Sequence, residues 1–89
     1  MHHLLLYDYV ENMLELRQPY RDAHLARIAA EREAGRIVMA GALGDPEPTG
    51  AAIAFKGVER EQIEEFVRGD PYVEAGLVTA WRLEPWKVV

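Results

Sequence analysis

The chain has no cysteine. That excludes a disulfide framework, a thiolate nucleophile and a zinc site built on cysteine ligands. It also fits a reducing compartment, so a cytoplasmic protein is expected. Positive charge is scarce too: Lys and Arg number 10 against 15 Asp and Glu, a formal net charge of −5. That balance argues against sequence-independent nucleic-acid binding, where basic residues must neutralise phosphates, and against anionic membrane surfaces. Long apolar runs are missing, and the first residues lack the basic-then-apolar order of a secretory signal, so no membrane association is expected. No glycine-rich phosphate loop precedes a helix, and there is neither a nucleophile elbow nor an acidic calcium loop. The spacing of His, Asp and Glu gathers no metal ligands, and no cofactor is expected.

What remains is a small apolar domain. With 89 residues, 49% of them hydrophobic, residues 1–89 should form one domain with a packed core. A chain this short buries a modest fraction of its surface, so a partner subunit is a natural source of added stability.

The hydrophobic pattern orders the elements. Leu4 to Tyr9 reads as a first strand, with Tyr7, Tyr9 and Val10 supplying the β preference that leucine lacks. Glu11-Asn12 breaks it. Pro19 is placed in the first turn of a helix that runs to Ala34, with Gly35 as the residue just past its end. Arg36 to Ala42 reads as strand two, and Gly44 to Gly50 as a proline-stiffened hairpin loop. Ala51 to Lys56 is strand three, and Glu59 to Arg68 a second helix ended by Gly69. Asp70 to Ala75 can add one more turn, and strand four runs from Leu77 to about Leu83. The order β-α-β-β-α-β with right-handed crossovers predicts an α+β, ferredoxin-like fold: a four-stranded antiparallel sheet with both helices on one face. The strands do not alternate cleanly. Leu4 and Leu6 oppose Leu5 and Tyr7, and Val38 and Ala40 oppose Ile37 and Met39, so both sheet faces look apolar. The helix-free face is therefore expected to pack on a second copy, giving a homodimer.

Two residues carry candidate chemistry. His24 lies three positions after Arg21, so both share a helix face. It is either an acid–base imidazole at a cleft edge, with Arg21 holding an anionic group, or a hydrogen-bonded and inert histidine at the border of the helix stripe. Asp70, 46 positions later, precedes Pro71 and reads as an N-cap followed by proline at the first helical position. One carboxylate oxygen can cap while the other faces a cleft, so capping and an orienting role toward His24 are compatible.

These segments resemble the YCII family of YciI-like proteins along nearly the whole chain. The resemblance is carried by Arg21-Asp22-Ala23-His24-Leu25-Ala26-Arg27, Glu33-Ala34-Gly35-Arg36, Ala40-Gly41, Asp70-Pro71-Tyr72-Val73-Glu74-Ala75-Gly76-Leu77 and Glu84-Pro85-Trp86-Lys87-Val88-Val89. It implies a dimeric α+β barrel of ferredoxin-like protomers with a His–Asp pair, here His24 and Asp70, in an active-site cleft. Many relatives read Gly-Pro where this chain has Gly41-Ala42, and some carry Ser or Thr where it has Ala51-Ala52. One branch of the family resembles dehydrochlorinases of chlorinated hydroxyquinones. The expected activity is proton transfer on a small organic molecule, of isomerase or lyase type and without a redox cofactor. His24 and Asp70 would act as the catalytic pair, and Arg21, Tyr72, Tyr7 and Gly41 would bind the substrate. The alternative is a non-catalytic dimeric module that binds a small ligand in the same cleft.

Overall fold

The computed structural model describes residues 1–89. Four strands, β1 (His2–Tyr9), β2 (Ile37–Leu43), β3 (Gly50–Lys56) and β4 (Val78–Trp86), form one sheet in the order β2-β3-β1-β4. Every neighbouring pair is antiparallel. The helices are α1 (Met13–Leu16), α2 (Arg21–Glu33), α3 (Arg60–Arg68) and α4 (Pro71–Glu74). This is the βαββαβ plan read from the sequence, with the extra turn expected after Asp70 present as α4 and one further short helix, α1. No helix is long and apolar enough to cross a membrane.

The core lies between the sheet and its helices. Leu5, Tyr7, Ile53, Phe55 and Leu83 from the strands meet Ile63, Phe66 and Val67 from α3. Three apolar residues one turn apart make α3 a well-seated helix. By contrast α2 buries only His24 and Ile28. Beneath it the sheet presents Ala40, Ala42 and Ala51, which are too small to fill the gap. A cleft remains there, between α2 and the β2 side of the sheet.

Several boundaries depart from the sequence-based expectation. Pro19 does not open the long helix; it sits in a 3₁₀ turn, Gln18–Tyr20, and α2 starts at Arg21. The Tyr20 N–H donates to the Arg17 carbonyl at 2.9 Å, a tighter bond than an α-helix makes, so the chain turns sharply into α2. Strand β4 continues through Pro85 to Trp86. It is an edge strand, where a residue without an N–H can face outward at no cost to the ladder. Strand β1 begins at His2, and His3 is buried opposite Phe55 and Pro85.

The faces of β2 also differ from expectation. A bulge between Ile37 and Met39 leaves Val38 as an extra residue. Ile37 opposes Phe55 and Ala40 opposes Ile53, on the helix side; Met39 opposes Ala54, on the other. Met39 therefore does not share a face with Ile37. The helix-free face carries Leu4, Leu6, Met39, Ala52 and Ala54, an apolar surface with Trp86 at its margin.

Two glycines are required by geometry. Gly35 follows α2 at φ +80°, the left-handed conformation expected for it. At Gly50 a β-carbon would collide with the Tyr7 carbonyl oxygen, so only glycine lets β3 approach β1 there.

Candidate functional site

Asp70 organises the site. It precedes Pro71 in extended backbone conformation, and its Oδ1 accepts from the Tyr72 N–H at 3.0 Å, capping α4 as the sequence suggests. The same Oδ1 lies 2.8 Å from Nδ1 of His24, and Oδ2 accepts from the Tyr7 hydroxyl at 2.8 Å. The carboxylate is 0% exposed and meets three donors. A buried charge is tolerable when it is satisfied in this way.

The fold explains how residues so distant in sequence meet. Tyr7 is on the helix face of the central strand β1, His24 is one turn into α2, and Asp70 is in the link between α3 and α4. Arg27, one turn beyond His24, donates to the Phe66 carbonyl at 2.8 Å, and its guanidinium lies 4.5 Å from the centre of the Phe66 ring. Those contacts tie α2 to the end of α3 immediately before Asp70.

Because an ionised carboxylate only accepts, His24 donates from Nδ1. Its tautomer is thereby set, and Nε2 carries the lone pair. Nε2 has no protein partner and is not sealed off; His24 lines the cleft. The imidazole stacks on the Tyr72 ring, with centroids 3.8 Å apart and planes 9° from parallel. Tyr9 meets the Tyr72 ring edge-on. Burial, with Asp70 beside it, pushes the Tyr7 hydroxyl well above the ordinary tyrosine range, so it stays a protonated donor. Burial also raises Tyr9, with Tyr72 and Asp70 adding to the effect and Arg17 and Arg21 opposing it.

The cleft has a volume of about 330 Å³. Its floor is apolar, from Ile28, Ala40, Ala51 and Ile53, and Gly41 borders it along the open edge of β2. Arg21 and Tyr72 line it beside His24. Tyr7 does not line it; that side chain stands behind Asp70, 1% exposed, and touches the pair from the core side. Two residues that the sequence did not single out also line the cleft, Arg17 and Arg32. Arg32 lies on the α2 stripe of Arg21, His24 and Ile28, a periodicity that could have flagged it. Arg17 comes from the short α1 end, which no local pattern announces. No group of three or more His, Asp or Glu side chains is placed to hold a metal ion.

Comparison with known proteins agrees with this architecture. Residues 1–87 match the YCII-related domain. The chain belongs to the YCII family. This YCII chain is 29% identical to an uncharacterized protein of Haemophilus influenzae, with 100% of this chain and 99% of that protein covered. It is 32% identical to Protein YciI of Escherichia coli O6:H1, over 85% of this chain and 86% of that one. Among solved structures it is similar to 5-chloro-2-hydroxyhydroquinone dehydrochlorinase (TftG) from Burkholderia phenoliruptrix AC1100, in complex with 2,5-dihydroxybenzoquinone. That match has a TM-score of 0.83 and 26% identity, and covers 98% of this chain and 94% of the other.

Proposed function

We propose that this YCII protein is a cofactor-independent lyase or isomerase that moves a proton on a small organic molecule. The observation that carries this is the His24–Asp70 pair: Nδ1 is bound to a buried carboxylate at 2.8 Å while Nε2 is left for the cleft. Nε2 takes a proton from a C–H or O–H of the substrate, and the electron pair released forms a new double bond. In an elimination the leaving group departs with its own pair; in an isomerisation the proton returns at another atom. Asp70 supplies the counter-charge while the imidazolium exists and does not itself need to be protonated. Tyr72 holds the ring plane and Arg21 holds an anionic oxygen of the substrate. Tyr7 is a positioning residue that acts through Asp70.

Support for the lyase branch comes from the likeness to a dehydrochlorinase whose structure holds a small quinone. The helix-free face, with Leu4, Leu6, Met39 and Leu43, is proposed to pack on a second copy. The test is chloride release from 5-chloro-2-hydroxyhydroquinone by the wild type and by His24→Gln. The expected result is release by the wild type and none above background by a folded His24→Gln protein, because an amide cannot accept and return a proton near neutral pH. Equal release by both would overturn the acid–base role.

A further inference from the structure

The arginines of this chain divide into two sets. Arg36, Arg60, Arg68 and Arg82 are ion-paired with glutamates. Arg27 is engaged by the Phe66 carbonyl and ring. The remaining three, Arg17, Arg21 and Arg32, have no ion-pair partner, and all three line the His24 cleft. The Nε of Arg17 is buried without a hydrogen-bond partner. Acids outnumber bases 15 to 10 in this chain, yet no Asp or Glu lines that cleft.

Their positions along the cleft matter as much as their charge. Arg17 and Arg21 stand at the end nearest Tyr9, and both act electrostatically on that phenol. Arg32 is in the last turn of α2, about 16 Å further along the helix axis from Arg21. Side chains on a helix lean toward its N-terminus, and Arg32 lines the cleft from that last turn. Between His24 and Arg32 the lining includes Ile28, Ala29, Ala40 and Ile53, whose side chains are apolar.

We infer that the cleft takes a small dianion with its charges at opposite ends and an apolar body between them, such as an aromatic or short-chain dicarboxylate or a carboxylate paired with an enolate. Arg17 and Arg21 hold the anionic group next to His24, and Arg32 holds the far one. Guanidinium forks suit carboxylate oxygens, and a volume of about 330 Å³ admits one ring or a short chain. The inference rests on the cleft being the substrate site, and it adds the substrate's charge and shape.

Isothermal titration of the purified protein with three probes tests it: 1,4-benzenedicarboxylate, benzoate and benzamide. The dianion should bind about tenfold more tightly than benzoate, with benzamide weaker still, and added salt should weaken the dianion most steeply. Arg32→Gln should reduce the dianion to the level of benzoate and leave benzoate unchanged. Arg17→Gln and Arg21→Gln should weaken both anions by about tenfold. Arg32→Lys, which keeps the charge, should keep most of the preference and covers the case of a poorly folded Gln variant. His24→Gln should preserve the ranking, which separates charge recognition from proton transfer. Benzamide binding as well as the dianion, an unchanged dianion preference in Arg32→Gln, or no saturable anion binding would overturn the inference. Chloride release that depends on His24 would in each of those cases still stand.

Discussion

The imidazole of His24 lies flat on the Tyr72 ring, 3.8 Å between centroids. The hydrogen bond to Asp70 lies in the imidazole plane and the stack lies along its normal, so the two contacts restrain different motions of the ring. The Tyr72 hydroxyl is buried without a hydrogen-bond partner. Tyr72→Phe should therefore keep the stack and leave thermal stability within about 1 kcal/mol of wild type. Tyr72→Leu should cost about 2–3 kcal/mol through lost packing and should broaden the His24 ring signals in NMR spectra.

Asp70→Asn and Asp70→Ala should separate the roles of this residue. Asparagine still caps the Tyr72 N–H but sets an NH₂ donor where Oδ2 accepted from the Tyr7 hydroxyl, so its cost in denaturant unfolding should be about 1–2 kcal/mol. Alanine removes the cap and leaves the Tyr7 hydroxyl and His24 Nδ1 without partners, at a cost of about 3 kcal/mol. Both variants should lose chloride release, because asparagine cannot supply a counter-charge to the imidazolium. Wild-type turnover by Asp70→Asn would leave only the cap.

The protein should lose stability at alkaline pH. Tyr7 and Tyr9 are raised in the folded state above the ordinary value near 10. In the unfolded chain both ionise near pH 10, while in the folded chain they remain neutral. The stability tied to them is therefore complete below about pH 10 and declines as the pH rises beyond it. Ultraviolet titration should show Tyr7 and Tyr9 resisting ionisation until the protein unfolds. Four freely titrating phenols in a folded protein would contradict the placement of Tyr7 behind Asp70.

Lysine at Leu4 or Met39 should break self-association. Both lie on the helix-free face, opposite Ala54 in the two flanking registers. Sedimentation should give twice the 10.1 kDa chain mass for the wild type and a single chain mass for either variant. A monomeric wild type would remove the second copy from the proposal.

The strands and the two long helices were legible because each carries its own apolar period and punctuation, with Gly35 and Gly69 ending the helices. The capping role of Asp70 was legible for the same local reason. Tyr7 was not placed correctly within the site. Its contact with Asp70 depends on how β1 sits against the α3–α4 link, which no window of sequence contains. Arg17 was missed because it enters through a four-residue helix too short to show a period. The faces of β2 were misread because a bulge interrupts alternation without changing composition.

That bulge has a consequence for how the chain can gain and lose residues. Strand β2 has a spare position at Val38, outside the pairing of Ile37 and Met39 with β3. Deleting Val38 would straighten the edge strand while leaving Ala40 and Ala42 on the floor of the cleft. Deleting one residue from Gly41 to Leu43 would instead shift the remainder by one place and turn its side chains to the opposite face. Length changes in this strand should therefore be absorbed at Val38 and rejected a few residues later, where the same loss would exchange the side that floors the cleft with the helix-free side.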